Sequence, residues 1–180
     1  TDTFNYTVSD GTATDIGTIT ITVLGINDDP VAQNDVGVIV EDGTLTVANG
    51  ANANETDDSG TTFNATGEHS GDVIDTSSSS HTDSDADASA SLSITQIKKD
   101  GGSNSAVGSG STWNGVGGSA GTSVTGTYGT LLIGADGSYR YVADQDAADP
   151  LDVGESATDV FVYTLSDGTA TTTATLTITV

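Results

Sequence analysis

FNYTVSDGTAT at residues 4–14 returns as FVYTLSDGTAT at residues 161–171. Aligning residues 1–23 with residues 158–180 gives sixteen identities at a constant offset of 157 residues. Each copy alternates apolar and polar residues on both sides of a Ser-Asp-Gly turn, which is the pattern of a β-hairpin with one buried face. Self-similarity at a fixed spacing indicates a tandem array, so the two segments are predicted to be the closing hairpins of successive modules.

The repeat divides the chain into three parts. Residues 1–23 are interpreted as the closing hairpin of a preceding repeat, residues 24–35 as an inter-repeat linker, and residues 36–180 as one complete repeat. The linker contains Pro30, which has no N–H for a sheet ladder and favours extended geometry at Asp29. The chain is therefore expected to be a window of a longer protein built from similar modules.

The charge balance is strongly acidic. The 180 residues include 26 Asp and Glu but only three Lys and Arg, for a formal net charge of −23. Nucleic-acid binding is not expected, because contacts to phosphate require clustered basic side chains. Such a surface favours cation binding, although acidic surfaces also aid solubility and are found in proteins from saline habitats. The chain has no cysteine for a disulfide and no apolar run long enough to span a bilayer, so no membrane insertion is expected of this segment.

Every strongly patterned segment predicts a strand. Residues 36–47 indicate a hairpin around Glu41-Asp42-Gly43, and residues 124–142 indicate another around an Asp-Gly turn at 136–137. The predicted fold class is therefore all-β, a sandwich with Greek-key connections.

Two segments, residues 49–82 and 101–121, lack periodicity and are rich in Gly, Ser, Asn and Asp, so they are expected to be long surface loops. The second encloses Trp113. An aromatic side chain in an exposed loop can stack on a sugar, which makes a carbohydrate-binding module for surface glycans one alternative function. A side chain packed beneath the loop is the structural alternative.

Four segments together resemble the VCBS repeats of very large bacterial surface and secreted adhesins. They are GINDDP (25–30), VEDGTLTV (40–47), DSDADASASL (83–92) and residues 126–180, beginning GTYGTLLIGADGSYRYVADQDAADP. The resemblance implies an Ig-like or cadherin-like β-sandwich, repeated in tandem on an extracellular, often calcium-binding stalk that serves cell adhesion or biofilm formation. Residues 49–82 depart from the shorter family pattern.

The acidic residues suggest where calcium (Ca2+) would bind. Asp83, Asp85 and Asp87 alternate like the first half of an EF-hand loop, but Ala88 and Ile94 stand where its glycine and glutamate would be. A site must therefore be assembled from separated segments. The candidate ligands are Asn27, Asp28 and Asp29 with Asp83, Asp85, Asp87 and Asp167 at one end of the module, and Glu41, Asp152 and Glu155 at the opposite boundary or at a neighbouring site. The competing interpretation is that these side chains only solvate and cap turns.

Catalysis is not expected. His69 and His81 lie in the polar segment without a zinc-binding spacing, and no nucleophile motif is present. The leading hypothesis is a structural extender of an extracellular adhesin, stiffened by calcium between repeats. A second hypothesis is a fibre subunit, in which residues 1–23 add to an identical chain by strand exchange.

Overall fold

The structure, a computed structural model, describes residues 1–50, 70–74 and 81–180, together with the backbone of residues 55–56 and 62–63. In chain order the strands are β1 (Asp2–Ser9), β2 (Thr14–Ile21), β3 (Asp35–Val38), β4 (Thr44–Val47), β5 (Glu55–Thr56), β6 (Thr62–Phe63), β7 (Ser93–Lys99), β8 (Ser105–Ala106), β9 (Ser111–Thr112), β10 (Ser119–Ala120), β11 (Thr122–Thr125), β12 (Thr130–Ile133), β13 (Tyr139–Val142), β14 (Thr158–Ser166) and β15 (Thr171–Thr179). No helix in the described part of the chain is long and apolar enough to cross a membrane.

Two sheets form a sandwich. One has the strand order β11-β12-β13-β4-β5-β6, and the other has the order β3-β15-β14-β7-β8. Their inward side chains share one core, in which the rings of Tyr141 from the first sheet and Phe161 from the second meet edge to face with centroids 6.1 Å apart. The predicted all-β sandwich is confirmed, while the Greek-key, Ig-like and cadherin-like descriptions stay predictions.

The two copies of the repeated segment fold into hairpins of the same register. Asp2 pairs with Ile21 and Ser9 with Thr14 in the first copy, and the positions 157 residues later pair identically in the second. Their surroundings differ, because β14–β15 is flanked by β7 and β3, whereas β1 and β2 pair only with each other among the described strands.

The inward-facing residues show this difference most clearly. Phe161 and Tyr163 are 0% exposed in the core, whereas their counterparts Phe4 and Tyr6 are 54% and 46% exposed. The β1–β2 hairpin thus keeps the apolar pattern of a closing hairpin but has no described core to cover.

The first and last strands of the sandwich lie side by side. β3 pairs with β15 in parallel, with Asp35 opposite Leu176 and Val38 opposite Thr179. The predicted hairpin at residues 36–47 is therefore wrong, because β3 joins β15 while β4 joins β13 in the other sheet. Asp42, with a φ of 60°, lies in the turn that carries the chain between the sheets. Alternating residues occur both in a hairpin and in such a crossing, so the pattern alone does not separate them.

The described parts of the two predicted loops contribute to the fold. Most of residues 49–82 lies outside the described residues, but residues 70–74 pack into the sandwich, with Val73 fully buried and Ser70 hydrogen-bonded to the backbone of Val36. Residues 101–121 contain the short strands β8, β9 and β10.

Candidate metal site

The turn before β15 is built around one carboxylate. Oδ1 of Asp167 accepts hydrogen bonds from the N–H groups of Thr169 and Ala170, both at 2.6 Å. Oδ2 accepts the side-chain amide of Asn27 at 2.8 Å. The N–H of Ala170, the Asn27 amide and the N–H of Thr169 hold the pKa of Asp167 below its usual range, so the carboxylate stays charged.

The linker is docked on an acidic loop by its own backbone. The N–H of Asp28 donates to Oδ2 of Asp87 at 2.9 Å, and the N–H of Gln33 donates to Oδ1 of Asp83 at 2.8 Å. Between these bonds, Val31 and Ser84 exchange two backbone hydrogen bonds of 2.8 and 3.0 Å. The linker therefore crosses this end of the module along residues 83–87.

Most of the predicted residues at this end come together, and we call them the linker pole: Asn27, Asp28, Asp83, Asp85, Asp87 and Asp167. Asp29 is exposed beside the buried Pro30 and lies outside the hydrogen bonds described above. Two open depressions adjoin here, one of about 380 Å³ lined by Asn27, Asp87 and Asp167, and one of about 310 Å³ lined by Asp83, Asp85 and Asp87.

The two carboxylate oxygens of Asp85 at the linker pole have different surroundings. Oδ1 of Asp85 accepts the N–H of Asp87 at 2.7 Å, but Oδ2 is shielded from solvent and has no hydrogen-bond partner among the described residues. A buried carboxylate oxygen without a donor is costly, and a cation would offset that cost.

The carboxylates do not yet form a closed metal cage. In the described ranges, no three Asp, Glu or His side chains approach closely enough to hold a metal ion as they stand. A calcium ion here would need further oxygens, which backbone carbonyls and a half-turn of the Asn27 amide can supply. The donors at the linker pole are all oxygen, which suits Ca2+ better than a softer metal.

The remaining predicted ligands lie at the other end of β15. Glu41, Asp152 and Glu155 line one cleft of about 410 Å³ beside Thr179 and Val180. The N–H of Asp152 donates to Oε2 of Glu155 at 3.2 Å, and the N–H of Glu155 donates to the carbonyl of Asp152 at 2.8 Å. We call this end the distal pole, because β15 runs from the Asp167 turn to it.

Two buried carboxylates were not singled out by sequence reasoning. Asp159, 1% exposed, accepts the N–H of Thr127 at 2.6 Å on Oδ1, and on Oδ2 the N–H groups of Tyr128 and Gly129 at 3.0 and 3.2 Å and the Tyr141 hydroxyl at 2.7 Å. Burial alone would raise the pKa of Asp159, but these hydrogen bonds together lower it. The sequence contained one signal for Asp159, because this residue is identical to its counterpart Asp2 in the repeat.

In Asp35, the second buried carboxylate, the effect of burial on the pKa outweighs that of the hydrogen bonds. Its Oδ2 lies 2.7 Å from the hydroxyl of Tyr163, and burial raises its pKa to about 7 against the hydrogen bonds from Tyr163 and Ser70. Burial and the negative charge of Asp35 raise the pKa of Tyr163. Both residues hold the end of the linker to the core, since the Tyr163 hydroxyl also lies 2.8 Å from the carbonyl of Gln33.

The other candidate functional residues lie elsewhere. Trp113 is partly buried, and its backbone N–H donates to Oγ of Ser138 at 3.1 Å, so glycan binding through this loop stays a prediction. His81 has its Nδ1 2.5 Å from the carbonyl of Asn34, and His69 lies outside the described residues.

Together these features define a β-sandwich with a separate, exposed β-hairpin and an acidic segment, residues 24–35, docked at one end. No protein-family model matches the chain, and no curated protein matches it. The resemblance to VCBS repeats therefore stays a prediction from the sequence.

Proposed function

We propose that the chain is a structural extender of an extracellular bacterial adhesin or surface fibre, built from tandem sandwiches whose junctions bind calcium. The observation that carries the proposal is the β1–β2 hairpin, which repeats the register of β14–β15 but exposes the face that β14–β15 buries. An exposed sheet face of this kind favours a partner that covers it.

The residues on the exposed face of the β1–β2 hairpin indicate which kind of partner would cover it. The inward positions Asp2, Phe4, Tyr6 and Ile21 are identical to their counterparts in β14 and β15. A surface with the same shape and polar groups fits a sandwich of the same class. The proposed partner is therefore the body of a neighbouring repeat.

The linker pole supports a calcium role. Carboxylates from the acidic loop and from the turn before β15 converge on the linker, and within the described part of the chain the buried Oδ2 of Asp85 has no hydrogen-bond donor. An ion that contacts the linker and the module together would fix the angle between adjacent repeats. Without it, the net charge of −23 makes neighbouring acidic segments repel one another.

A calcium titration followed by thermal unfolding tests this proposal. Extracellular modules bind calcium with Kd values of about 10⁻⁴ to 10⁻³ M, so 10 mM calcium should raise the Tm by roughly 3–8 °C over a chelated sample. Asp85→Asn should abolish most of this rise, whereas the exposed control Asp100→Asn should retain it. An equal response in the parent and in Asp85→Asn, or no response at all, would contradict a site at the linker pole.

The exposed hairpin equally favours the second hypothesis, a fibre subunit that adds residues 1–23 to an identical chain. Light scattering distinguishes the two. Concentration-dependent growth that deletion of residues 1–23 abolishes supports exchange between separate chains. A monomer at all concentrations supports the tandem arrangement.

A further inference from the structure

The cleft at the distal pole is lined mainly by apolar side chains, together with the acidic Glu41, Asp152 and Glu155. Its walls are formed by Val38, Ile39, Val40, Leu151, Val153 and Val180. Val40 is 55% exposed, and Val153 is fully exposed. The volume of about 410 Å³ falls within the range of clefts that hold a bound group, and the walls favour an apolar one.

The repeat relation indicates what would lie there. Val180 corresponds to Val23 at the offset of 157 residues, and Val23 is followed by Leu24, Gly25 and Ile26. Leu24 is 81% exposed in the described structure, although it is a large aliphatic side chain. A residue that follows a closing hairpin leaves the sheet beside Val180, and one residue of extended chain spans only about 3.3 Å.

We infer that the cleft at the distal pole is the seat for the first apolar residue of the linker that follows a closing hairpin, a leucine at the position of Leu24. The inference rests on the proposed tandem arrangement and adds an apolar contact to each junction. The leucine packs against Val40, Leu151 and Val153. Ile26 lies two residues further on, beside the linker pole of the next module, where it lines the depression next to Asp167.

This contact differs in kind from a calcium junction. Burial of an aliphatic side chain is insensitive to chelators and is little weakened by salt. Each junction would then have an apolar half at the distal pole of one module and an ionic half at the linker pole of the next.

The test appends the sequence of residues 24–30, Leu-Gly-Ile-Asn-Asp-Asp-Pro, after Val180 of the full chain. A matched extension carries serine in place of the leucine and is otherwise the same. In chelator, the leucine extension should melt about 3–6 °C above the serine extension, from the partial burial of one leucine. The methyl NMR signals of Val40 and Leu151 should shift only with the leucine extension.

Val153→Ser in both extended chains locates the effect. Because Val153 is fully exposed in the parent, this variant should fold normally, and the difference between the two extensions should shrink, since one of the three partner side chains of the leucine is gone. Equal melting points for the two extensions of the parent, with unchanged methyl signals, would overturn the inference. A leucine effect that grows with protein concentration would also overturn it, because the occupant would then be a second copy.

The two proposals fail separately. A calcium-induced rise in Tm without a leucine effect contradicts the apolar contact at the distal pole but still supports the proposed function. A leucine effect in chelator without any calcium response supports the seat and counts against the ionic part of the junction.

Discussion

Replacing Asp159 by asparagine should destabilise the chain strongly, while the same replacement at its repeat counterpart Asp2 should not. Asp159 is almost fully buried and accepts four hydrogen bonds, whereas Asp2 is exposed. The two residues occupy the same place in hairpins of the same register, so the comparison isolates what the surrounding sandwich contributes.

The magnitude follows from the hydrogen bonds. The cheaper orientation of the asparagine amide puts its nitrogen at the position of Oδ1, which loses the bond from Thr127 and leaves three bonds to a neutral acceptor. A bond to a charged group contributes about 1.5–3 kcal/mol and one to a neutral group about 1 kcal/mol. Four bonds to a charged acceptor are exchanged for three to a neutral one, so Asp159→Asn should lower the free energy of unfolding by about 3 kcal/mol or more. Asp2→Asn should change it by less than about 0.5 kcal/mol.

Urea unfolding of the parent and both variants, in chelator at pH 7, measures these differences. Their pH dependence gives a second check. Because the pKa of Asp159 is lowered in the folded state, its contribution is present above the unfolded pKa of about 4 and is lost as the pH falls through the lower folded value. The gap between the parent and Asp159→Asn should close in acid. Equal effects of the two substitutions at pH 7 would refute the reasoning.

Three further predictions concern the core. Asp35 keeps its proton up to a pKa of about 7 in the folded chain, so the free energy of unfolding should fall by as much as about 4 kcal/mol between pH 4 and 7.5; urea titrations at both pH values should show that Asp35→Asn removes this slope. Tyr163→Phe should cost about 1–3 kcal/mol in urea unfolding by removing a buried hydrogen bond, and the exposed counterpart Tyr6→Phe should cost almost nothing; equal costs would contradict the assigned contacts. Gly137→Ala should lower the Tm by several degrees, because φ is +88° and an added Cβ would lie 2.9 Å from the backbone nitrogen of Ile74; an unchanged Tm would show that residues 70–74 do not pack there.

The two repeated hairpins and the sandwich class could be predicted because they depend on local signals. Alternation around Ser-Asp-Gly specifies a turn, and the turns at Asp10 and Asp167 share the same hydrogen bonds from the two residues that follow Gly11 and Gly168. The grouping of the acidic residues followed from the order of loops along the chain.

Long-range pairing could not be predicted in the same way. Residues 36–47 alternate like a hairpin, but whether Val36 pairs across the turn or with β15 depends on packing some 140 residues away. The burial of Asp159 and Asp35 was hidden for the same reason, because an aspartate near the start of a strand looks like a solvated residue until its donors are known.

The parallel pairing of β3 with β15 determines how the sandwich responds to a pulling force. The linker enters β3 at the linker pole, and β15 ends at the distal pole, so tension applied between these two points would pull the neighbouring strands in opposite directions. The hydrogen bonds between β3 and β15 are roughly perpendicular to this force, so they must break together as the two strands slide. An antiparallel pair pulled from one end instead opens one hydrogen bond at a time. A chain of such modules would resist stretching by shear.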